Sequence, residues 1–112
     1  PLASGALSGK YRNGQMPKNA RMTLFKGWER MINPIAMRAY DEYYKLSEEI
    51  NITMAQLAQA FVNSRPFVTS NIIGATTMDQ LKENIGSIDI ELTEEILEKI
   101  NIIHNNNPNP AP

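Results

Sequence analysis

The chain has 112 residues, 42% of them apolar and 21% charged, with 11 basic and 12 acidic side chains and a formal net charge of -1. This is the composition of an ordinary globular protein, and it argues against a disordered chain, a membrane span and the basic surface of a general nucleic-acid binder. The lack of Cys removes disulfides and thiolate chemistry, and a single His, His104, cannot build a histidine metal cluster.

Residues 1 to 33 show little hydrophobic periodicity and hold four of the six Gly. The opening Pro1-Leu2-Ala3-Ser4-Gly5 reads as a possible strand end, Asn13-Gly14 as a turn, and residues 15 to 32 as a long ordered loop with at most a short helical turn. A helix is predicted from Pro34, capped by Asn33 and ending near Ile50, with Ala36, Ala39, Tyr40, Tyr43 and Leu46 as its apolar stripe. Thr53 with Gln56 forms a capping box for a second helix, which Arg65-Pro66 stops and which presents Leu57, Ala58, Phe61 and Val62 inward. Phe67 to Ile73 is the one strand candidate, ended by Gly74. Thr77, with Gln80 at the capping-box position, opens a helix with Leu81, Ile85 and Ile88 inside. Thr93 opens the last helix, with Glu94 and Glu95 favourably placed at its positive end and Ile96, Leu97, Ile100 and Ile103 inside. Residues 105 to 112 are Asn and Pro apart from Ala111, and are expected to be an extended tail. One strand among four helices leaves both strand edges unpaired, and the chain opens on Pro1 rather than Met. Both features lead us to expect a piece of a longer domain.

Two Gly-containing loops could carry chemistry. Ser4-Gly5-Ala6-Leu7-Ser8-Gly9-Lys10-Tyr11 fails as a P-loop, because three residues rather than four separate Gly5 from Gly9 and Tyr11 stands where a magnesium-binding Ser or Thr is required. It retains hydroxyls, backbone N–H groups and one Lys, which can surround an anion, although on local grounds a surface turn with a solvated Lys is the simpler reading. In Ile72-Ile73-Gly74-Ala75-Thr76-Thr77-Met78-Asp79-Gln80 an apolar segment ends in Gly and enters a capped helix, whose N-terminus suits a phosphate. Gln80, Glu83 and Asn84 follow on neighbouring positions of that helix, where they could read a ribose or a base edge; any segment-to-helix junction also favours Gly and a Thr cap. The remaining candidates read more simply as structure. His104 suits the negative end of the last helix, Tyr40, Tyr43 and Tyr44 form core and rim, Trp28 anchors a loop, and the paired Glu residues are solvated. No nucleophile, base and orienting group can be assembled from these residues.

Taken together in this order, Pro1-Leu2-Ala3-Ser4-Gly5, Leu7-Ser8-Gly9-Lys10-Tyr11, Arg21, Ile73-Gly74-Ala75-Thr76 and Gln80-Leu81-Lys82-Glu83-Asn84 resemble the C-terminal part of the aldo-keto reductases, in the branch of the Tas-like bacterial enzymes and the potassium-channel β subunits. The resemblance runs from residue 1 to about 104. Ala55 to Val62 also resembles the family's helix before its last strand, although Gln59 departs from the small or apolar residue more usual there.

The resemblance implies an α/β fold, the C-terminal fragment of a (β/α)8 TIM barrel: residues 1–104 would supply the end of strand seven, helices, strand eight and the closing helices, and residues 105–112 the tail. It implies NADP(H) as cofactor, a small-molecule aldehyde or ketone as substrate, the remainder of the barrel as neighbour, and a cytoplasmic protein, without membrane or nucleic-acid partner, that can self-associate. Carried over position by position, Pro1, Leu2, Ala3, Ser4 and Gly5 would wrap the nicotinamide ribose and pyrophosphate. Ser8 and Lys10 would meet phosphates, and Arg21 the adenosine 2′-phosphate. Gly74, Thr76 and Gln80 would hold the same end, and Glu83 and Asn84 the adenine. The family's acid–base Tyr and its Asp, Lys and His partners belong to earlier strands, and no Tyr of this chain matches that position, so no catalytic residue is assigned. A non-catalytic, NADPH-sensing subunit of the same fold is the alternative reading.

Overall fold

The computed structural model describes residues 1–112. Residues 1 to 33 fold without long elements: 3-10 segments at Ala3–Ser8, Arg12–Gly14 and Glu29–Met31, and one short helix, α1 (Arg21–Leu24). The strand end expected at the start does not form. Ala3 and Ser4 adopt left-handed φ values of 46° and 58°, and the Leu2 carbonyl accepts the N–H groups of Gly5 and Leu7 at 2.8 and 3.1 Å, folding the segment on itself. The long loop is pinned from inside. Tyr11 is buried, and its hydroxyl accepts the Met22 N–H at 3.1 Å. Arg12 ties the next turn to the helix that follows, with Nε 3.0 Å from Asp41 and its guanidinium stacked 3.4 Å over the Tyr44 ring.

The four long helices begin where side chains satisfy their free N–H groups. Asn33 Oδ1 accepts from Ile35 and Ala36 at 2.9 and 3.0 Å, opening α2 (Pro34–Glu49) with Pro34 at its first position. Thr53 and Gln56 exchange hydrogen bonds of 3.1 and 2.9 Å in a complete capping box for α3 (Met54–Asn63). Thr77 and Thr93 hydroxyls accept from Gln80 and Ile96 at the starts of α4 (Met78–Gly86) and α5 (Glu94–Asn106). Two apolar clusters result. One joins Ala6, Tyr11, Met22, Met31, Ala36 and Tyr40 with Met54; the other joins Leu46 of α2, Leu57 of α3, and Ile100 and Ile103 of α5. The stripes predicted for α2 and α5 are the ones that pack.

Four expectations change. Residues 67 to 73 form no strand, because a strand needs neighbours for its N–H and C=O groups and this chain has no second strand; Phe67 and Ile72 are 81% and 85% exposed. Helix α3 is rotated from its predicted face: Ala55, Gln59 and Ala60 are buried with Met54 and Leu57, while Ala58, Phe61 and Val62 are half-buried. Helix α4 turns Asn84 inward, and Ser87 just beyond it is buried too, whereas Ile85 and Ile88 are 58% and 66% exposed and Leu81 is half-buried. The tail is not extended from residue 105. Asn105 and Asn106 complete α5, and Asn107 is buried, accepting from Arg38 Nε at 2.8 Å and donating to the Ile103 carbonyl at 2.9 Å and to Glu42 at 3.3 Å. The chain then returns to α2, where Asn33 Nδ2 donates to the Pro110 carbonyl at 2.8 Å and Ala111 packs on the first cluster.

Candidate cofactor groove

The first loop is shaped by the residues nearest its glycines. Gly5 has φ 93°, and a Cβ placed there would lie 2.9 Å from Cε and 3.0 Å from Nζ of Lys10. Glycine suits the backbone conformation, and a side chain there would displace the end of Lys10. Ser8 Oγ donates to the Gly5 carbonyl at 2.7 Å, which fixes the floor of the turn. Lys10 extends along the Tyr11 ring, its ammonium 5.4 Å from the ring centre. Arg21, at the start of α1, lies with its guanidinium 5.7 Å over the half-buried Trp28. Neither Lys10 nor Arg21 pairs with a carboxylate; the chain's ion pairs are Arg12–Asp41, Lys99–Glu49 and Lys99–Glu95.

The second loop faces the first. Thr76 donates from its N–H and hydroxyl to Gln80 Oε1 at 2.9 and 3.1 Å, so Gln80 braces Thr76 rather than completing the box with Thr77. Glu83 accepts from the Thr53 hydroxyl at 2.6 Å, which links α4 to the cap of α3. Asn84 donates to the Gly74 carbonyl at 3.2 Å and accepts from Gln59 Nε2 at 3.3 Å. Between the loops runs an open groove of about 760 Å³, within the size range of small-molecule sites. Pro1, Leu2, Ser4, Gly5, Ser8, Lys10 and Arg21 line one side, and Gly74, Thr76, Gln80, Glu83 and Asn84 the other. Of the residues singled out in the sequence only Ala3 lies off the wall. Asn19, Leu24, Phe25, Ala55, Gln59, Ile72, Ile73 and Ala75 join it. Of these, Leu24 and Phe25 are exposed large apolar side chains next to Arg21, a signal readable only once α1 is known to face the groove.

The donor set suits a phosphorylated, partly apolar ligand. Two cations without carboxylate partners lie on one wall, and the capped start of α4 contributes the positive end of a helix. A second cavity of about 430 Å³ lies among Leu57, Phe61, Ile100 and their neighbours, and its wall is largely apolar, without Lys or Arg.

Against known proteins, residues 1–105 match the family model described as "Aldo/keto reductase family". The chain belongs to the aldo/keto reductase family. Among individual aldo/keto reductase relatives, it is 43% identical over 111 residues to "Protein tas" of Escherichia coli, covering 99% of this chain and 32% of that protein. It is 35% identical to a "Probable voltage-gated potassium channel subunit beta" of Arabidopsis thaliana, and 36% identical to a "Putative voltage-gated potassium channel subunit beta" of Schizosaccharomyces pombe, covering 96% of this chain in each case. The chain spans about a third of the length of these relatives. No helix of this aldo/keto reductase chain is long and apolar enough to cross a membrane.

Proposed function

We propose that the chain is the cofactor-holding C-terminal third of a cytoplasmic, NADP(H)-dependent aldo-keto reductase that reduces aldehydes or ketones to alcohols. Its (β/α)8 barrel is completed, and its catalytic side chains supplied, by residues upstream. The groove is the observation that supports this reading: residues of two separate motifs, between residues 1 and 21 and between residues 74 and 84, meet around one cavity with unpaired cations on its wall. NADPH, when bound, supplies the hydride. The residues of this chain would hold it: Lys10 toward its phosphates, joined by Ser8 once its hydroxyl turns from the Gly5 carbonyl, and Arg21 with the N-terminal end of α4 toward the adenosine 2′-phosphate. The main chain of residues 69 to 73, which makes no hydrogen bond to other main-chain groups, with Ile72 exposed, fits a strand whose partners are upstream.

The test is cofactor selectivity in the full-length protein. Arg21→Ala is expected to weaken NADPH about tenfold or more and NADH little, since a charge-assisted phosphate contact contributes about 1.5–3 kcal/mol. Equal loss for both cofactors removes the 2′-phosphate assignment. The identities to relatives named as potassium-channel β subunits favour a second reading, a non-catalytic NADPH-sensing subunit. Steady NADPH oxidation with carbonyl substrates supports the enzyme; tight NADPH binding without turnover, together with a stable partner complex, supports the subunit.

A further inference from the structure

Behind the groove's second loop lies a set of carboxamides whose orientation is fixed by a single carbonyl. Gln59 of α3 is 1% exposed and Asn84 of α4 is 5% exposed, so both amides must find matched partners. The Gly74 carbonyl only accepts, so the Asn84 group 3.2 Å away is Nδ2. Asn84 Oδ1 is left facing Gln59, which donates from Nε2 at 3.3 Å. Gln59 Oε1 then requires a donor, and Asn71 Nδ2 supplies it at 2.8 Å while also donating to Asn63 Oδ1 at 2.9 Å. The relay therefore runs from Asn71, through the middle of α3, to α4 and back to Gly74.

Within this chain it closes on a segment without main-chain pairing. Residues 69 to 76 make no hydrogen bond between main-chain groups. The contacts that this chain itself supplies are the Asn71 amide at one end, the Asn84 amide on the Gly74 carbonyl, and the Gln80 amide on Thr76, and they act beside whatever sheet pairing the rest of the barrel adds. We infer that Gln59 and Asn71 are positioning residues for the adenosine end of the groove, acting through Asn84 to set the place of Gly74 and Thr76. The inference rests on the NADP(H) reading above. It gives Asn84 a structural duty, since both ends of its amide are already engaged within the protein.

The experiment uses the full-length protein and two probes, NADPH and reduced nicotinamide mononucleotide, which lacks the adenosine end. Gln59→Leu keeps a buried side chain of similar volume and removes both amide contacts. Binding of NADPH is expected to weaken about tenfold while reduced nicotinamide mononucleotide binds as before, with the KM for NADPH raised and kcat unchanged. Asn71→Ala, at a less buried position, is expected to give the same selective loss and covers the case in which Gln59→Leu does not fold. Combining Gln59→Leu with Asn84→Leu is expected to add nothing to the Asn84→Leu loss, because the two act as one unit. Unchanged NADPH affinity in both single variants, equal loss of both probes, or losses that multiply would overturn the inference while the cofactor reading stands. Failure of the unaltered protein to bind NADPH would overturn both.

Discussion

At Gly5 the missing side chain leaves room for the end of Lys10. The residue combines φ 93° with a neighbour 2.9 Å from the missing Cβ. Gly5→Ala is expected to strain the backbone by about 1–3 kcal/mol and to push Lys10 aside, so NADPH affinity falls along with stability. Fluorescence titration beside urea unfolding separates the two effects. Tyr40 makes the opposite case. Its hydroxyl is buried without a hydrogen-bond partner, so Tyr40→Phe is expected to be neutral or to stabilise by up to about 1 kcal/mol. Burial also raises the Tyr40 phenol from 10.0, and burial followed by the Glu42 charge raises Tyr43. The folded state then keeps protons that the unfolded chain releases. This contribution is complete below about pH 10 and is lost as pH rises through the folded values. In the full-length protein, urea midpoints should be flat from about pH 8 to 9.5 and fall above about 10, with a shallower fall in Tyr40→Phe.

Among the elements, the turn between α2 and α3 carries the most informative signal. Asn51 has φ 56°, its N–H donates to the Glu48 carbonyl at 3.1 Å, and the Ile52 N–H donates to Ser47 at 3.0 Å. This is a Schellman ending with Asn in the left-handed position, and Ile52 covers the same cluster as Leu46. Asn51→Gly relieves the left-handed strain and is expected to raise stability by a few tenths of a kcal/mol to about 1, read as a higher urea midpoint at unchanged m-value. The caps of all four long helices were legible because N-capping is local chemistry, a side-chain oxygen two or three residues from the N–H it accepts. The faces of α3 and α4 were not. Apolar periodicity pointed to Phe61, Ile85 and Ile88, yet the helices meet through Gln59, Asn84 and Ser87. Paired amides can be buried where their partners coincide in space, and that coincidence is a property of two helices, not of either one.

For the molecule as a whole, buried surface falls short of what the composition offers. Only 20 of 112 residues are buried, Phe67, Ile72, Met78, Ile85 and Ile88 are exposed, and the main chain of residues 69 to 76 is unpaired. Such a surface favours association. The isolated 112-residue chain is expected to self-associate or to unfold without a cooperative transition, in contrast to the full-length protein. Sedimentation and urea unfolding followed through Trp28 check this, and a sharp monomeric transition would show the chain to be self-sufficient.

Sequence alone determined the helix starts, the inward stripes of α2 and α5, and the two motifs whose order carries the family resemblance, because each depends on residues a few positions apart. It also named most of the groove's wall, since the motifs were recognised as a pair. Tertiary structure decided which side of α3 and α4 is inside, that Asn107 anchors the tail, that Tyr11 pins the loop, and that the main chain of residues 69 to 73 remains unpaired in this chain. Those outcomes depend on where a distant partner lies, and a pattern read along one segment contains no term for it.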